Sequence, residues 1–376
     1  MILSFGTYEA ARHPRVGILV DGLRSHGVDV SEVNHPIGLS TSERVRMLQQ
    51  PWRLPLLLVR LLRAWTRLWT GSRPFRRRGS RPEAVLVGYM GHFDVILARL
   101  LFPSVPIVLD HLLFAADTAR DRGSAGAKVR LLSLLDRLAL ACASVAVVDT
   151  EEHRQMLPVP GRGIVVPVGA RQEWFEAAAA QPPAAERRPG ALSVVFFGLF
   201  TPLQGTTVIA EAVRDVLATH PGVHVTMIGD GQDAQAARTV LADLSAVTWQ
   251  TWVAPEDLPE VVAAHDVCLG IFADSPKGRR VVPNKVYEGL AAGCAVITSD
   301  TPPQRRTVAD LAVLVQPRDP AALAEQLRRF ADDHELLEQR RELTRRGSQR
   351  FAAKAVVGPL LDVLGLLGLS TSGASA

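Results

Sequence analysis

Short apolar runs alternate with longer amphipathic segments along most of the chain. The runs span three to six residues and are rich in valine, isoleucine and leucine, which is typical of strands buried on both faces of a parallel sheet. The segments between them repeat apolar residues at helical spacing and predict helices that cover such sheets. The predicted strands are Ile2–Phe5, Val28–Val33, Ala84–Val87, Ile107–Asp110, Ser144–Val148, Ile164–Val166, Leu192–Phe197, His224–Ile228, Thr248–Thr251, Val267–Gly270, Ala295–Thr298 and Ala312–Val315.

The strands fall into two series, and a chain of 376 residues is too long for one ordinary core. Alanines, prolines and arginines between the series, at Ala177–Gly190, predict an exposed linker. We therefore expect an α/β fold of two doubly wound domains, with a ligand cleft between them at the carboxyl ends of the strands. The expected divisions are an N-terminal domain over 1–176, a linker over 177–190, a C-terminal domain over 191–345, and a C-terminal helix and tail over 346–376. The sequence leaves open whether this helix crosses back onto the first domain.

Positive charge is concentrated in one stretch. The segment Arg44–Arg81 contains eleven arginines and no acid, while the rest of the chain has 31 basic and 38 acidic residues. This pattern does not fit diffuse nucleic-acid binding, so no nucleic-acid partner is expected.

The start of the chain carries no basic region before its first apolar residues, and no signal peptide is predicted. The longest apolar runs are broken by residues such as Arg60 and Pro359, so no transmembrane span is predicted. We expect a cytoplasmic location, with peripheral contact at the inner face of the plasma membrane as the alternative.

Two glycine motifs follow strands of the second series. Gly198 directly follows a strand and lets the backbone approach a ligand closely. The next helix begins at Thr206, and its N-terminus offers unpaired N–H groups to a phosphate. Gly229-Asp230-Gly231 forms a tight turn at a strand end that a nucleotide can lie against. Gly229–Ala234 also matches a dinucleotide fingerprint, but it lies in the second strand–helix unit and the expected ribose acid is missing. Nicotinamide binding is therefore not expected.

The most specific motif is Pro283-Asn284-Lys285-Val286-Tyr287-Glu288. Pro283 suits a first helical turn, and Gly293 suits the helix end. Lys285 lies where the helix dipole favours acids, which makes sense if an anion sits in front of it. Glu288 follows three residues later on the same helical face. A diphosphate on Lys285 and ribose hydroxyls on Glu288 would use both side chains, whereas a surface lysine–glutamate pair is the structural alternative.

Taken together, the motifs of the chain resemble those of the retaining nucleotide-sugar glycosyltransferases of family 4, which have the GT-B fold of two Rossmann-like domains facing a central cleft. The motifs of the second half that carry the resemblance are Gly198, Gln204-Gly205, Ile228-Gly229-Asp230-Gly231, Trp252-Val253, Asp266–Gly270 and Pro283–Glu288. The first half adds Gly6-Thr7, His13-Pro14-Arg15, Asp21-Gly22-Leu23, Gly91-His92-Phe93-Asp94, Asp117-Thr118 and Asp121-Arg122.

The resemblance implies a donor site in the second half. It assigns Glu288 to the nucleotide ribose and Asn284 with Lys285 to the diphosphate. The donor site then comprises Gly198, Gln204, Gly205, Gly229, Asp230, Gly231, Trp252, Val253, Arg280, Pro283, Asn284, Lys285, Val286 and Glu288.

Three positions depart from the family pattern. Leu199 and Gln204 stand where the family has arginine and lysine, and Arg280 replaces the first of its two glutamates. Arg279, Arg280 or Lys285 is therefore expected to supply charge to the leaving diphosphate. No D-x-D pair follows a strand, so we predict no metal and no other cofactor besides a UDP- or GDP-linked donor sugar.

Acid–base candidates lie at strand ends of the first half, where side chains gather at one edge of the sheet. They are His92, His111 and Asp117, with Lys285 as the catalytic residue of the second half. A lone histidine is more often structural, which is the alternative for each of the two. Gly6, Thr7 and Asp121 are the expected acceptor contacts.

The basic stretch over 52–81 has two interpretations of equal weight. Arg60, Arg63 and Arg67 share helical spacing with nearby tryptophans and leucines, which suits a helix on an anionic membrane surface. A helix packed on its own domain with solvated arginines explains the same pattern. The membrane interpretation makes a lipid-linked acceptor plausible.

The resulting expectation is a hexosyltransferase that moves a sugar from a nucleotide-diphosphate sugar to a lipid-linked or small-molecule acceptor, with retention and without metal. Two alternatives stay open. One is a nucleotide-sugar 2-epimerase on the same scaffold, and the other is a catalytically silent protein that binds sugar nucleotides or membranes.

Overall fold

The computed structural model describes residues 1–9, 14–38, 54–121, 123–181 and 191–367. The chain forms two compact units, Met1–Pro167 with Val356–Ala376, and Val168–Ala355. Each unit contains its own parallel sheet with helices around it. The predicted α/β fold with two doubly wound domains is confirmed.

The first unit contains a parallel sheet of six described strands. They are β1 Ile2–Gly6, β2 Val30–Asn34, β3 Ala84–Val87, β4 Ile107–Asp110, β5 Val145–Val148 and β6 Gly163–Val165. Their order in the sheet is β2-β1-β3-β4-β5-β6. The helices between them are α1 Pro14–Ser25, α2 Leu54–Gly71, α3 Asp94–Leu101, α4 Ala115–Asp121, α5 Ala127–Cys142 and α6 Glu151–Gln155.

The second unit repeats this plan. Its described strands are β7 Leu192–Phe197, β8 Val223–Ile228, β9 Val247–Gln250, β10 Val267–Leu269, β11 Ala295–Ser299 and β12 Val313–Val315, in the order β12-β11-β10-β7-β8-β9. Its helices are α7 Gln172–Ala179, α8 Thr206–Leu217, α9 Ala234–Val240, α10 Leu258–Ala263, α11 Asn284–Ala291, α12 Pro302–Val308, α13 Pro320–Asp332, α14 His334–Gly347 and α15 Ala353–Val356. The last helix of the chain is α16 Gly358–Leu366.

Each sheet has a point where the order of its strands reverses. It lies between β1 and β3 in the first sheet and between β7 and β10 in the second. Such a point leaves a crevice outside the carboxyl ends of two neighbouring strands, where ligands of open α/β sheets bind. The side chains and turns at these two places are therefore the first candidates for a site.

The unit boundaries differ from the expected domain boundaries. The second unit begins at Val168, so α7 belongs to it rather than to the first domain and the linker. The physical reason is that Trp174 of α7 is buried and stacks on Phe197, with ring centroids 5.7 Å apart. Residues 182–190 of the expected linker lie outside the described residues. At its other end the chain rejoins the first unit from Val356, and α16 lies beside β6.

No described helix combines the length and the apolar character that a membrane-crossing segment needs.

Candidate active site

Two glycine-containing turns follow β7 and its neighbour β8, beside the reversal point of the second sheet. Gly198 and Gly229 both have φ of +129°, a conformation that L side chains rarely adopt. A Cβ at Gly229 would lie 1.9 Å from the carbonyl oxygen of Gly198. The Phe200 N–H donates to the Asp230 carbonyl over 3.0 Å, and the Asp230 carboxylate accepts from the Gly231 N–H over 2.8 Å. The two turns are thus packed backbone against backbone, and their contact requires glycine.

The start of α8 is held against the loop that follows β10. Gly205 ends a short 3₁₀ turn, adopts the left-handed conformation (φ +68°, ψ +39°) and precedes the first residue of α8. A Cβ there would lie 2.7 Å from the Ala273 nitrogen. The Phe272 N–H donates to the Gln204 carbonyl over 3.0 Å. Gln204 and Gly205 therefore lie at the reversal point between β7 and β10, where ligands of open α/β sheets bind.

Lys285, in the first turn of α11, directs its ammonium group toward Gln204 at the reversal point between β7 and β10. Its residue is only 5% exposed, and its Nζ donates to Gln204 Oε1 over 2.6 Å. The Nζ also lies 3.7 Å from the centre of the Phe196 ring, and a Cβ at Gly198 would lie 3.3 Å from it. Burial lowers the pKa of Lys285 to about 7, and nearby Cys268 and Glu288 oppose this shift. The lysine is thus a buried group whose charge an arriving anion would stabilise.

Glu288 follows Lys285 by three residues on α11 and is half-buried. Burial raises its pKa to about 7, while the charge of Lys285 opposes the rise. An acid and a base that both titrate near neutrality form a pair whose protonation responds to a ligand. The pair can present a cation to a diphosphate and a carboxyl group to sugar hydroxyls.

The other predicted donor residues vary in their surroundings. Trp252 is 72% exposed just after β9, and Val253 beside it is partly buried. Arg280 ends a 3₁₀ turn and is partly buried, as are Pro283 and Asn284. The Val286 side chain is wholly buried and packs beside Gly270. Val286 is thus a core residue whose side chain faces away from solvent, because it lies on the sheet-facing side of α11.

Gly6 and Thr7 of the first unit lie at the reversal point between β1 and β3. The Thr7 N–H and hydroxyl both donate to Asp94 Oδ2 over 2.8 Å. Trp65 of α2 donates from Nε1 to Asp94 Oδ1 over 3.2 Å. A Cβ at Gly6 would come within 3.3 Å of Asp94 Oδ2. Asp94 therefore organises this strand end, a role that the sequence did not single out beyond its place in a motif.

His92 is held by an acid that the sequence analysis missed. Its Nε2 lies 2.9 Å from Oδ1 of Asp136 on α5. Asp136 also accepts hydrogen bonds from the Ala115 and Ala116 N–H groups, over 3.0 and 3.1 Å, at the start of α4. Burial acts to raise the pKa of Asp136, but the hydrogen bonds from His92 and the two N–H groups outweigh it and lower the pKa. The carboxylate is therefore charged and fixes the His92 ring.

His111, which follows β4, lies beside His92 with ring centroids 5.1 Å apart. Burial lowers the pKa of His111 to about 3, and the charge of His92 adds to this effect. Its other ring neighbour is Phe114, at 4.6 Å. Within the described residues its buried Nε2 has no hydrogen-bond partner. His111 is thus a neutral imidazole next to a histidine–aspartate pair.

Asp117 and Asp121 both lie on α4 but in different surroundings. Asp117 is half-buried and lines a cavity of about 440 Å³ that Asp136 also lines. Asp121 is exposed at the end of the helix. The structure therefore gathers His92 and His111 and brings Asp117 to the same cavity as Asp136, the acid partner of His92, whereas Asp121 stays on the surface.

The ligand atoms of His92, His111 and Asp136 lie within 4.8 Å of one another, a spacing at which side chains could hold a metal ion. The Asp136 carboxylate, however, already accepts three hydrogen bonds. This donor set fits a carboxylate that positions His92 better than it fits a metal ligand.

Other motif residues have structural surroundings or lie outside the described part. Arg15 is buried, pairs with Asp110 over 3.2 Å and donates to the carbonyls of Val166 and Pro167. The motif residues His13 and Arg122, and residues 44–53 of the arginine-rich segment Arg44–Arg81, lie outside the described residues.

Residues 191–333 match the family of glycosyl transferases group 1. This match covers most of the second unit and includes every predicted donor residue. The second unit therefore contains a glycosyl transferases group 1 domain. No curated relative matches the chain in sequence.

Similar solved structures extend over the whole chain. Sucrose-phosphate synthase from Thermosynechococcus elongatus is 15% identical with a TM-score of 0.68, covering 98% of this chain and 99% of that one. HepE from Anabaena, solved in complex with UDP-glucose, is 13% identical with a TM-score of 0.66, covering 97% and 100%. A glycosyltransferase from Rickettsia africae is 11% identical with a TM-score of 0.64, covering 97% of both chains. These likenesses show that the fold is that of GT-B glycosyltransferases.

Proposed function

We propose that the chain transfers a hexose from a nucleotide-diphosphate sugar to an acceptor hydroxyl, with retention and without a metal ion. The observation that carries the proposal is the placement of Lys285. Its buried ammonium group lies at the start of α11, within 2.6 Å of Gln204 and against the Gly198 turn. A diphosphate in this crevice would meet the cation and the N–H groups of helix starts together.

The chemistry follows from where charge develops. Breaking the bond between the sugar and the phosphate leaves negative charge on the diphosphate while the sugar becomes an oxocarbenium-like ion. A fixed cation and helix N–H groups aimed at that charge lower the barrier without rearranging during the reaction. Lys285 can supply this charge itself, so a metal ion is not needed for leaving-group stabilisation.

The donor nucleotide is proposed to be UDP or GDP, and Glu288 is proposed to accept hydrogen bonds from its ribose. HepE was solved in complexes with UDP and with UDP-glucose, which favours UDP among the two. The turn at Gly229–Gly231 and the exposed Trp252 offer a backbone edge and an aromatic face for the base.

The acid–base groups are proposed to come from the first unit. His111 is a neutral imidazole with an unpartnered buried Nε2, and His92 is fixed by Asp136. A neutral imidazole can accept a proton or a hydrogen bond from a substrate hydroxyl. Thr7 and Gly6 allow close approach of the acceptor at the reversal point of the same sheet, and Asp117 lines a cavity together with Asp136.

The acceptor is proposed to be lipid-linked. Residues 52–81 would then contact an anionic membrane surface, at the cytoplasmic face of the membrane. In α2, Leu58, Leu62 and Trp69 are exposed, and so are Arg63 and Arg67. An exposed row of apolar side chains next to arginines suits a helix that lies on an anionic bilayer. A small soluble acceptor is the alternative if no membrane contact exists.

One experiment separates the proposal from its alternatives. A panel of UDP- and GDP-sugars, each labelled in the sugar, is incubated with the protein and either a lipid extract or soluble sugars. Label in a new lipid or glycoside supports the transferase. Label that remains in a nucleotide sugar of altered configuration would identify a 2-epimerase, and unchanged donor that nevertheless binds would identify a catalytically silent protein.

A further inference from the structure

Three helices of the first unit cover the same face of its sheet. Leu68 of α2, Val95 of α3 and Ala139 of α5 pack into one apolar core with the alternate residues Leu3 and Phe5 of β1. Neighbouring helices of this row also contact each other, α2 with α3 and α3 with α5. The outward sides of the three helices therefore form one continuous surface of this unit.

The outward side of α5 is apolar. Leu131, Leu134 and Leu138 are 68%, 62% and 48% exposed. Spacings of three and four residues place them on one side of the helix, while Val129 and Ala139 are buried on the other. A helix on the surface of a soluble protein carries polar residues at such positions. The exposed leucines thus form an apolar row that nothing in the described part of the chain covers.

Positive charge flanks this row and negative charge is missing from it. Lys128, Arg130 and Arg137 are exposed on α5. The acid of α5 is Asp136 and that of α3 is Asp94, and both are buried and hydrogen-bonded. The sequence of α2 contains no acid. Together the three helices expose leucines and basic groups and no carboxylate.

We propose that α5, together with α2, docks this face of the first unit on an anionic lipid bilayer. The leucine row of α5 enters the boundary between headgroups and acyl chains, and Lys128, Arg130 and Arg137 contact lipid phosphates, as amphipathic helices lying in a membrane interface do. A second copy of the chain is a poorer occupant, because it would bring the same unneutralised basic groups against each other. The inference rests on the proposed membrane partner and adds a second helix to the contact.

The test is co-sedimentation with vesicles of phosphatidylcholine alone or with one-third phosphatidylglycerol. The apolar variant is Leu131→Gln/Leu134→Gln/Leu138→Gln, and the charge variant is Lys128→Gln/Arg130→Gln/Arg137→Gln. A matched control removes three exposed bases of the second unit, Arg329→Gln/Arg345→Gln/Arg346→Gln. Circular dichroism and melting temperatures establish that each variant is folded, which is expected because all the changed side chains are exposed.

Wild type and control should bind the anionic vesicles and leave the neutral ones largely unbound. The charge variant should bind on the order of a hundredfold more weakly, about fivefold per base, and its binding should depend less steeply on salt than that of wild type. The apolar variant should bind at least about tenfold more weakly at every salt concentration, because its loss is not electrostatic.

The inference would be overturned if wild type did not bind anionic vesicles at low salt. It would also be overturned if the apolar variant bound these vesicles as tightly as wild type does. Self-association of wild type that the apolar variant loses, without vesicle binding, would identify a second copy as the occupant instead. Calorimetry of the same proteins with UDP and GDP keeps the two proposals apart. Lost vesicle binding with intact nucleotide binding contradicts only the docking surface, whereas vesicle binding without nucleotide binding or transfer contradicts the proposed function.

Discussion

Replacing Lys285 by alanine should strongly weaken the binding of a nucleoside diphosphate to the second unit. Lys285 is 5% exposed, and its ammonium group already donates a hydrogen bond to Gln204 Oε1 over 2.6 Å. A bound diphosphate would receive a charge-assisted hydrogen bond that solvent screens only weakly. The expected loss is on the order of 1.5–3 kcal/mol, which is an about 10- to 150-fold higher Kd.

The pKa of Lys285 adds a second, independent signature. At about 7 in the free protein, the lysine is mostly neutral at pH 8, whereas an adjacent diphosphate favours its charged form and raises the pKa. Binding at pH 8 should therefore take up nearly one proton, and affinity should fall as the pH rises above 7. At this pH the phosphate groups of the nucleotide are fully ionised and contribute no comparable change.

Calorimetry with UDP and GDP, in two buffers of different ionisation enthalpy, measures both quantities. Lys354→Ala removes an exposed lysine of the same unit and serves as the matched control. Equal affinity of wild type and Lys285→Ala, or equal proton uptake by the two, would refute the placement of the diphosphate at this lysine.

Three further predictions concern the same unit and its chemistry. Gly229→Ala should abolish nucleotide binding and lower the free energy of unfolding by on the order of 2 kcal/mol, because its Cβ would lie 1.9 Å from Gly198 O. In the control Gly365→Ala no atom lies within 4 Å of the added Cβ, so nucleotide binding and stability should be kept. Identical thermal melts and nucleotide titrations of the two variants would contradict the prediction. Lys285→Met/Glu288→Leu should leave the free energy of unfolding unchanged or raise it by up to about 4 kcal/mol. In wild type, the stability measured with urea should fall as the pH rises from 4.5 to 7, because of Glu288, and rise from pH 7 to 10.5, because of Lys285. A pronounced loss of stability in the double variant would contradict the first of these expectations. Transfer should survive excess chelator, and activity that vanishes and returns with magnesium or manganese would disprove metal independence.

The sequence predicts the strands of both sheets well, because strands buried on both faces are continuous apolar runs. Helix bounds and unit bounds are less predictable. The alanines around Ala177 resemble a linker in composition, yet Trp174 and Phe175 bury one side of α7. A helix of eight residues with only two large apolar side chains gives too weak a periodicity to distinguish it from a loop.

The residues proposed for the donor site are similarly predictable, because each belongs to a short motif of consecutive residues. Gly198, Gly229 and Lys285 each follow a strand or begin a helix, and the structure gathers them at one edge of the second sheet. Asp136 was missed because its partner His92 is 44 residues away. A signal was present, since Asp136 occupies the buried side of α5, seven residues after Val129 and three before Ala139. A charged residue on a buried helical face indicates a partner.

The most direct test of the central claim is transfer of labelled sugar by a matched pair of proteins. Wild type, Lys285→Ala and the control Lys354→Ala are compared for kcat/KM, with the nucleotide sugar and acceptor that the panel identifies and with chelator present. The account predicts equal transfer by wild type and control, and a loss of about 100-fold or more in Lys285→Ala, because the cation assists the leaving group as well as binding it. Transfer by Lys285→Ala at the wild-type rate would contradict the account, as would a folded wild type that binds nucleoside diphosphate and transfers no sugar from any donor.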